Sequence, residues 1–251
     1  MSATLKAREM TLLDILGRVM YATPRQLEQW GLPQSAISRM LPRLTTMGLV
    51  SVVDDTRPNV VALTHKGGAV VNRPLPSGKS YTSWPVMAHR CCRNAVELEL
   101  RKTIPRFTFF SRKYAFASGL NPSRGEHGGS DADGNLYLVL IDDYLMEPRR
   151  IAHCWTRPHA PNPRYYSETA SRHWQDLAQH LIVFATDQHQ VARHQAFIEK
   201  CQAIKQLVAA GVARSTIRHT HGLNTVATID TYASLPDDVA VHYTPPLWDI
   251  R

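Results

Sequence analysis

The sequence predicts a mixed α/β (α+β) chain of two domains, and three observations carry that reading. Residues 35–70 run from an amphipathic helix through a short hairpin into a closing turn. Residues 74–80, Pro-Leu-Pro-Ser-Gly-Lys-Ser, form a breaker-rich linker. Beyond it, the short apolar runs 136–141 and 181–185 stand between helical stretches, as strands covered on both faces do. A chain of 251 residues can bury two cores. The expected domains are 1–72 and 83–251, with a linker at 73–82.

Within the first domain, residues 11–21 place Leu12, Ile15, Leu16 and Val19 on one helical stripe. Thr23-Pro24-Arg25-Gln26 opens a second helix: Thr23 caps it, Pro24 suits the first helical position and Gln26 completes a capping box. Gly31 ends that helix, with Leu27 and Trp30 facing inward. A third helix starts near Pro33-Gln34-Ser35, and Pro42 is expected to bend or break it. Gly48-Leu49-Val50 stops it and opens a hairpin of 49–53 and 60–63 around the tip 54–59. Thr64-His65-Lys66-Gly67-Gly68 then leads into a helix at Ala69.

That order is the second half of a winged helix-turn-helix, which presents a helix and a wing to a major groove and its flanking phosphates. Double-stranded DNA is therefore the expected partner. Gln34, Ser35, Ser38 and Arg39 are best placed to reach base edges or phosphates, and Arg43 to touch a phosphate. Arg57 at the wing tip would enter the minor groove or touch the backbone, braced by Lys66.

In the second domain, a helix over 84–102 is expected to bury Ala88, Cys92, Ala95, Val96 and Leu98. Strands are expected at 106–110 and 113–118, then a polar, Gly-rich stretch over 121–135, then strands at 136–141 and 151–155. A helix over 167–179, the strand 181–185, a helix over 190–210 and a last strand at 225–232 complete the reading, ahead of a Pro-containing tail. Such an alternation of helices and strands indicates a mixed central sheet.

The net charge of +8 points to a polyanionic partner, in keeping with DNA. The four cysteines contain no C-x-x-C spacing, so neither a zinc knuckle nor a disulfide framework is read; buried reduced thiols are expected. No apolar run is long enough to cross a bilayer, and Lys6, Arg8, Glu9 and Asp14 interrupt any signal-peptide pattern. A cytoplasmic protein without a membrane segment is expected.

The exit Leu63-Thr64-His65-Lys66-Gly67 leads to a helix carrying His89-Arg90 and Asn94, and then to an α/β core. This arrangement resembles the replication-relaxation family of plasmid and conjugative-element proteins. It is also similar to plasmid mobilisation relaxases built on a restriction-endonuclease-like fold. The resemblance implies an acidic residue at the start of one strand and a second acid with a lysine on the next, holding a divalent ion. Here the first acid would be Asp131 or Asp133 and the second Asp142 or Asp143, with Asp133 and Asp142 as ligands of Mg²⁺ and His89 as a further catalytic candidate.

The sequence departs from that pattern. It has no Glu-x-Lys in the strand and no lysine near Asp142, where Tyr144, Glu147, Arg149 and Arg150 stand, and all four aspartates flank one strand. A solvated turn at 131–135 and a core histidine at 89 therefore stay open as readings. The resemblance implies a DNA-binding protein of a plasmid or other mobile element, acting at an origin of transfer or replication by relaxase-like, metal-dependent nicking, with other mobile-element proteins as partners. The alternative is a non-catalytic winged-helix accessory factor or transcriptional regulator with a degenerate nuclease-like core; a regulator with a small-molecule sensing domain is a third class.

Two lesser patterns remain. His219-Thr220-His221 together with Tyr165-Tyr166 is similar in residue types to the metal histidines and tyrosine nucleophile of tyrosine relaxases. Residues 155–166 interleave aromatic and basic side chains, which suits single-stranded DNA as a second partner.

Overall fold

The computed structural model describes residues 4–53, 58–73, 75, 83–143, 145–160 and 171–246. The chain is mixed α and β and divides into two compact units, 1–100 with 246–251, and 101–245.

Unit 1 opens with α1 (Ala7–Val19), whose Leu12, Leu13, Leu16 and Val19 are buried along one stripe. Helix α2 (Pro24–Gln29) carries the expected reciprocal cap: Gln26 N donates to Thr23 Oγ1 at 3.2 Å and Thr23 N to Gln26 Oε1 at 3.0 Å. Helix α3 (Gln34–Thr46) buries Ala36, Ile37, Met40 and Leu44. Of the bend or break expected at Pro42, the break does not occur, since the helix is continuous through it. Strands β1 (Tyr21–Ala22), β2 (Val50–Val53) and β3 (Val60–Leu63) form an antiparallel sheet in the order β1-β3-β2.

Helix α4 (His65–Val70) begins four residues before the expected start at Ala69. Thr64 Oγ1 caps it by accepting the Gly67 N–H at 3.0 Å, so Gly67 and Gly68 are helical instead of part of a turn. A Cβ on Gly67 would lie 2.0 Å from the Leu49 carbonyl oxygen, so the helix seats against the residue that leads into β2 only because that side chain is absent.

Helix α5 (Trp84–Thr103) groups with unit 1 in all but its last residues. Met87 and Cys91 pack with Tyr21, Val60 and Ala62. Gln26 Nε2 donates to Cys91 O and Asn94 Nδ2 to Tyr21 O, each at 2.7 Å, and Arg18 pairs with Glu97. The expected stripe is only partly right: Cys92 and Val96 are buried, but so are the polar Arg93, Asn94 and Glu97. Burial, aided by the neighbouring Arg90, pulls the Arg93 guanidinium down to about 9 against the opposing pull of Glu97.

Unit 2 is built on a five-stranded sheet of β4 (Thr108–Phe109), β5 (Glu126–Ser130), β6 (Leu136–Asp142), β7 (His180–Ala185) and β8 (Ala240–Tyr243), in that order. Strand β5 runs antiparallel to both of its neighbours, β4 and β6, and the last three strands are parallel. One face, with Leu138, Leu140, Leu181 and Val183, packs on α7 (Arg150–Thr156) and α8 (Gln188–Ala209) through Ile151, Cys154, Ile198 and Cys201.

Several expected elements change type. Residues 113–117 belong to helix α6 (Arg112–Ala117), which Ser118 ends, and 151–155 belong to α7. Residues 225–232 form α10 (Val226–Ala233), which follows α9 (Arg214–Thr220), and the true last strand lies in the expected tail. Of the expected helix at 167–179, the described part holds a short 3₁₀ turn at Trp174–Asp176. The runs at 113–118, 151–155 and 225–232 are short, so a helical and a strand period both fit them, and the tertiary partner surface decides between them.

Strand β5 lies inside the polar, Gly-rich stretch 121–135, for which no strand was expected. Its glycines are its packing surface: a Cβ on Gly128 would meet the Phe110 and Trp174 rings at 2.5 Å, and one on Gly129 the Phe107 ring at 2.4 Å. Aromatic rings from elsewhere cover this strand, so its own residues carry no apolar alternation.

Candidate functional site

The polar face of α3 is exposed at Gln34, Ser35, Ser38 and Arg39, opposite the buried Ala36, Ile37, Met40 and Leu44. Two of these side chains lie along the helix: Ser38 Oγ donates to Gln34 O at 3.1 Å and Arg39 Nε to Ser35 O at 2.9 Å. The rest of the Arg39 guanidinium fork stays available to a partner with acceptor oxygens.

Beside Arg39 lies a recess of about 430 Å³ lined by Lys6, Arg8, Glu9, Met40 and Arg43 among others. Lys6 and Arg8 were not expected from the sequence as partner contacts; they join Arg39 because the start of α1 packs across α3. Arg43, expected to contact phosphate, is instead paired with the buried Glu9 and donates through Nη2 to Thr4 O at 3.2 Å. Burial disfavours the Glu9 carboxylate, but the Lys6 backbone N–H and Arg43 outweigh it and hold its pKa below the usual range. Lys66 donates from Nζ to Met47 O at 2.8 Å, closing the C-terminal end of α3. Arg57 lies outside the described residues.

The acidic candidates separate into two places. Asp131 is a turn anchor: its carboxylate accepts from Asp133 N at 2.9 Å, Asn135 N at 3.0 Å, Asn135 Nδ2 at 2.8 Å and the Tyr137 hydroxyl at 2.8 Å. Asn135 contributes most to holding its pKa at about 2, with Tyr137 adding to it against desolvation. Asp133 is exposed at the tip of this turn.

Asp142 ends β6 with its side chain 1% exposed. One oxygen accepts the Met146 N–H at 2.7 Å and the other lies 2.8 Å from His194 Nε2, itself fully buried. Asp143 is partly exposed, 3.7 Å from the Arg124 guanidinium. The whole of β6 separates Asp133 from Asp142, about 20 Å at the rise of a strand, so the two cannot share one Mg²⁺. Among the described residues, no three His, Cys, Asp or Glu side chains converge as a metal-holding group. The expected ligand pair thus does not fit the ion. His89 is half-buried on α5 in unit 1, whereas all four aspartates are in unit 2.

The chain matches no family model, no curated protein and no solved structure.

An acid that sequence reasoning passed over stands at the start of β5. Glu126 is opposite Leu140 in register, so it shares a sheet face with Asp142 on the neighbouring strand. Its Oε2 accepts from Ser123 N at 3.1 Å, Ser123 Oγ at 2.8 Å and Arg157 Nη2 at 2.7 Å. Its Oε1 accepts from Trp174 Nε1 at 2.6 Å and lies 3.2 Å from His159 Nε2. Burial is the largest influence and opposes the charge, but His159, Trp174 and Arg157 overcome it and bring the pKa down to about 2. A glutamate before two glycines in a polar stretch was the available signal, and without the strand it read as loop.

This centre also accounts for the described part of the basic and aromatic stretch 155–166. Trp155 is buried and donates to Ser234 O at 3.0 Å, Arg157 is spent on Glu126, and buried His159 accepts the Asn121 N–H at 3.0 Å. These side chains are packing and anchoring groups, not a stacking platform. Tyr165 and Tyr166 lie outside the described residues. His219 and His221 sit on and just after helix α9, not on a strand, which removes the strand geometry that the tyrosine-relaxase pattern needs.

Proposed function

We propose that unit 1 is a winged helix-turn-helix that holds double-stranded DNA, and that the protein serves a plasmid or other mobile element at an origin of transfer or replication. The observation that carries this reading is the exposed polar face of α3, with Arg39 beside Lys6 and Arg8. The β1-β3-β2 sheet with its β2–β3 hairpin, following three helices, supports the wing assignment, and the net charge of +8 supports a polyanionic partner. Placement at an origin, and other mobile-element proteins as partners, rest on the resemblance in residues 63–94.

For unit 2 we propose a restriction-endonuclease-like core that does not cut. The antiparallel-to-parallel sheet with helices between its strands supports the first half of that statement. The second half rests on Glu126 and Asp142, buried acids whose acceptor oxygens are engaged by the protein's own donors. An accessory DNA-binding factor or transcriptional regulator is the role that follows.

Fluorescence anisotropy with a labelled duplex tests the binding half. Arg39→Glu should weaken affinity about tenfold and flatten the salt dependence by about one phosphate contact. Unchanged affinity and slope would remove α3 from the interface. A supercoiled-plasmid nicking assay with and without Mg²⁺ or Mn²⁺ tests the other half, and binding without nicking is expected. Metal-dependent relaxation that is lost in an Asp142→Ala, Asp143→Ala variant would restore the nickase.

A further inference from the structure

The C-terminal part of unit 2 contains a helical arrangement that DNA binding by unit 1 does not use. Helix α8 ends at Ala209 and α9 begins at Arg214, so four residues join them. Gly211 sits in that turn at φ +74°, the left-handed conformation that glycine takes without strain. The turn is closed by Ala210 N–H to Gln206 O at 2.9 Å and Val212 N–H to Leu207 O at 3.0 Å. Ile204 of α8, Ile217 of α9 and Ile229 of α10 form a separate buried core, with Leu207, Val212 and Leu223 packed around it. Two helices joined by a short glycine turn and braced by a third have the construction of a helix-turn-helix.

The second helix of that pair is nearly bare. Ile217 is the one buried residue of α9; the other six are exposed. At 100° per residue, Ser215 and His219 lie opposite Ile217, and Thr216 and Arg218 flank them. The side chains of these four make no hydrogen bond or ion pair to the described residues. Arg214, by contrast, is engaged. Its guanidinium donates to Asp230 Oδ1 of α10 at 2.8 and 3.2 Å, fixing how α9 is presented.

The surface next to α9 is also basic. Lys200 donates from Nζ to His221 O at 2.9 Å. Lys200, Arg149, Arg150 and His153, with Glu147 as an acidic member, line a cleft of about 610 Å³ that reaches the α9–α10 turn. With its side chains an α-helix is about 10–12 Å across, which fits the width of a major groove.

We propose that α8 and α9 form a second duplex-DNA-binding element, independent of unit 1, with α9 as the helix that enters the major groove. Ser215, Thr216, Arg218 and His219 face the bases and phosphates there. Arg149, His153 and Lys200 follow the flanking backbone. Duplex DNA is the occupant that the charge favours, since α9 offers hydroxyls and cations and no apolar side chain on its exposed face. The protein would then contact DNA at two segments.

The test uses the full-length protein and a 40-bp random-sequence duplex, with anisotropy across a salt series and hydroxyl-radical footprinting at saturation. An Arg218→Glu, His219→Glu variant should bind about tenfold more weakly, with a salt slope lower by one to two contacts and one protected segment lost. Thermal melting should be unchanged, because both side chains are exposed. Arg39→Glu is run in parallel and should remove the other segment. Loss of effect in Arg39→Glu alone would sink the reading of unit 1 and leave this one standing. Wild-type affinity, slope and footprint in the α9 variant would overturn the proposal and leave α9 as a surface for a protein partner.

Discussion

Replacing Glu126 by glutamine should cost unit 2 about 3 kcal/mol, and two separate routes lead to that figure. The first is linkage. The carboxyl group falls from its ordinary value near 4.5 to about 2 on folding, and each tenfold change in acidity is worth about 1.4 kcal/mol of differential stability. The second is hydrogen bonding. If the amide oxygen replaces Oε2, its NH₂ must face the donors at Trp174 Nε1 and His159 Nε2, and Arg157 loses its counter-charge. His159 cannot become an acceptor at Nε2 without giving up the Asn121 N–H now bound at Nδ1. Breaking a buried, paired charge of this kind costs roughly 3–5 kcal/mol.

The sign of the pH dependence follows from the lowered pKa. The stabilisation is complete above the unfolded value and drains away as pH falls toward the folded one. Urea unfolding followed by tryptophan fluorescence, at pH 7 and again near pH 3, measures both. The gap between wild type and Glu126→Gln should be about 3 kcal/mol at pH 7 and about 1 kcal/mol at pH 3. A gap below about 1 kcal/mol at pH 7, or one that does not shrink with acid, would refute the account of Glu126 as the charged anchor of this unit.

Two further outcomes are expected. Gly67→Ala should lower unit 1 stability by about 2 kcal/mol, because its Cβ would stand 2.0 Å from a backbone oxygen that cannot swing away; an unchanged melting temperature would contradict that packing. All four cysteines are buried thiols outside any disulfide; burial, with Cys92 beside it, pushes the Cys91 thiol up to about 12, and burial does the same for Cys201 against the pull of Lys200. Ellman's reagent should therefore find no fast-reacting thiol in the native protein and four after unfolding in urea; one fast native thiol would show that a buried site opens.

Local chemistry was legible in residues whose partners are their own neighbours. Thr23 and Gln26 sit three apart and satisfy each other, so the start of α2 could be read directly. The stripe of α1, the polar face of α3, and the apolar runs of β6 and β7 were likewise visible from periodicity. The acids at the end of β6 were visible as charges, but the commitment of Asp142 to His194, 52 positions away, was not.

By itself, then, the sequence determined how α2 is capped, which faces of α1 and α3 are apolar and where charge accumulates, because those properties depend on residues within a turn or two. Only the tertiary structure decided what each element packs against. It drew α5 into unit 1 through buried polar contacts to Tyr21 and Gln26. It made a strand of a Gly-rich stretch by laying the Phe107, Phe110 and Trp174 rings on its glycines. It brought Arg157 and Trp174 to Glu126, and His194 to Asp142, from distant segments. Those outcomes rest on long-range contacts, whose partners no local pattern specifies.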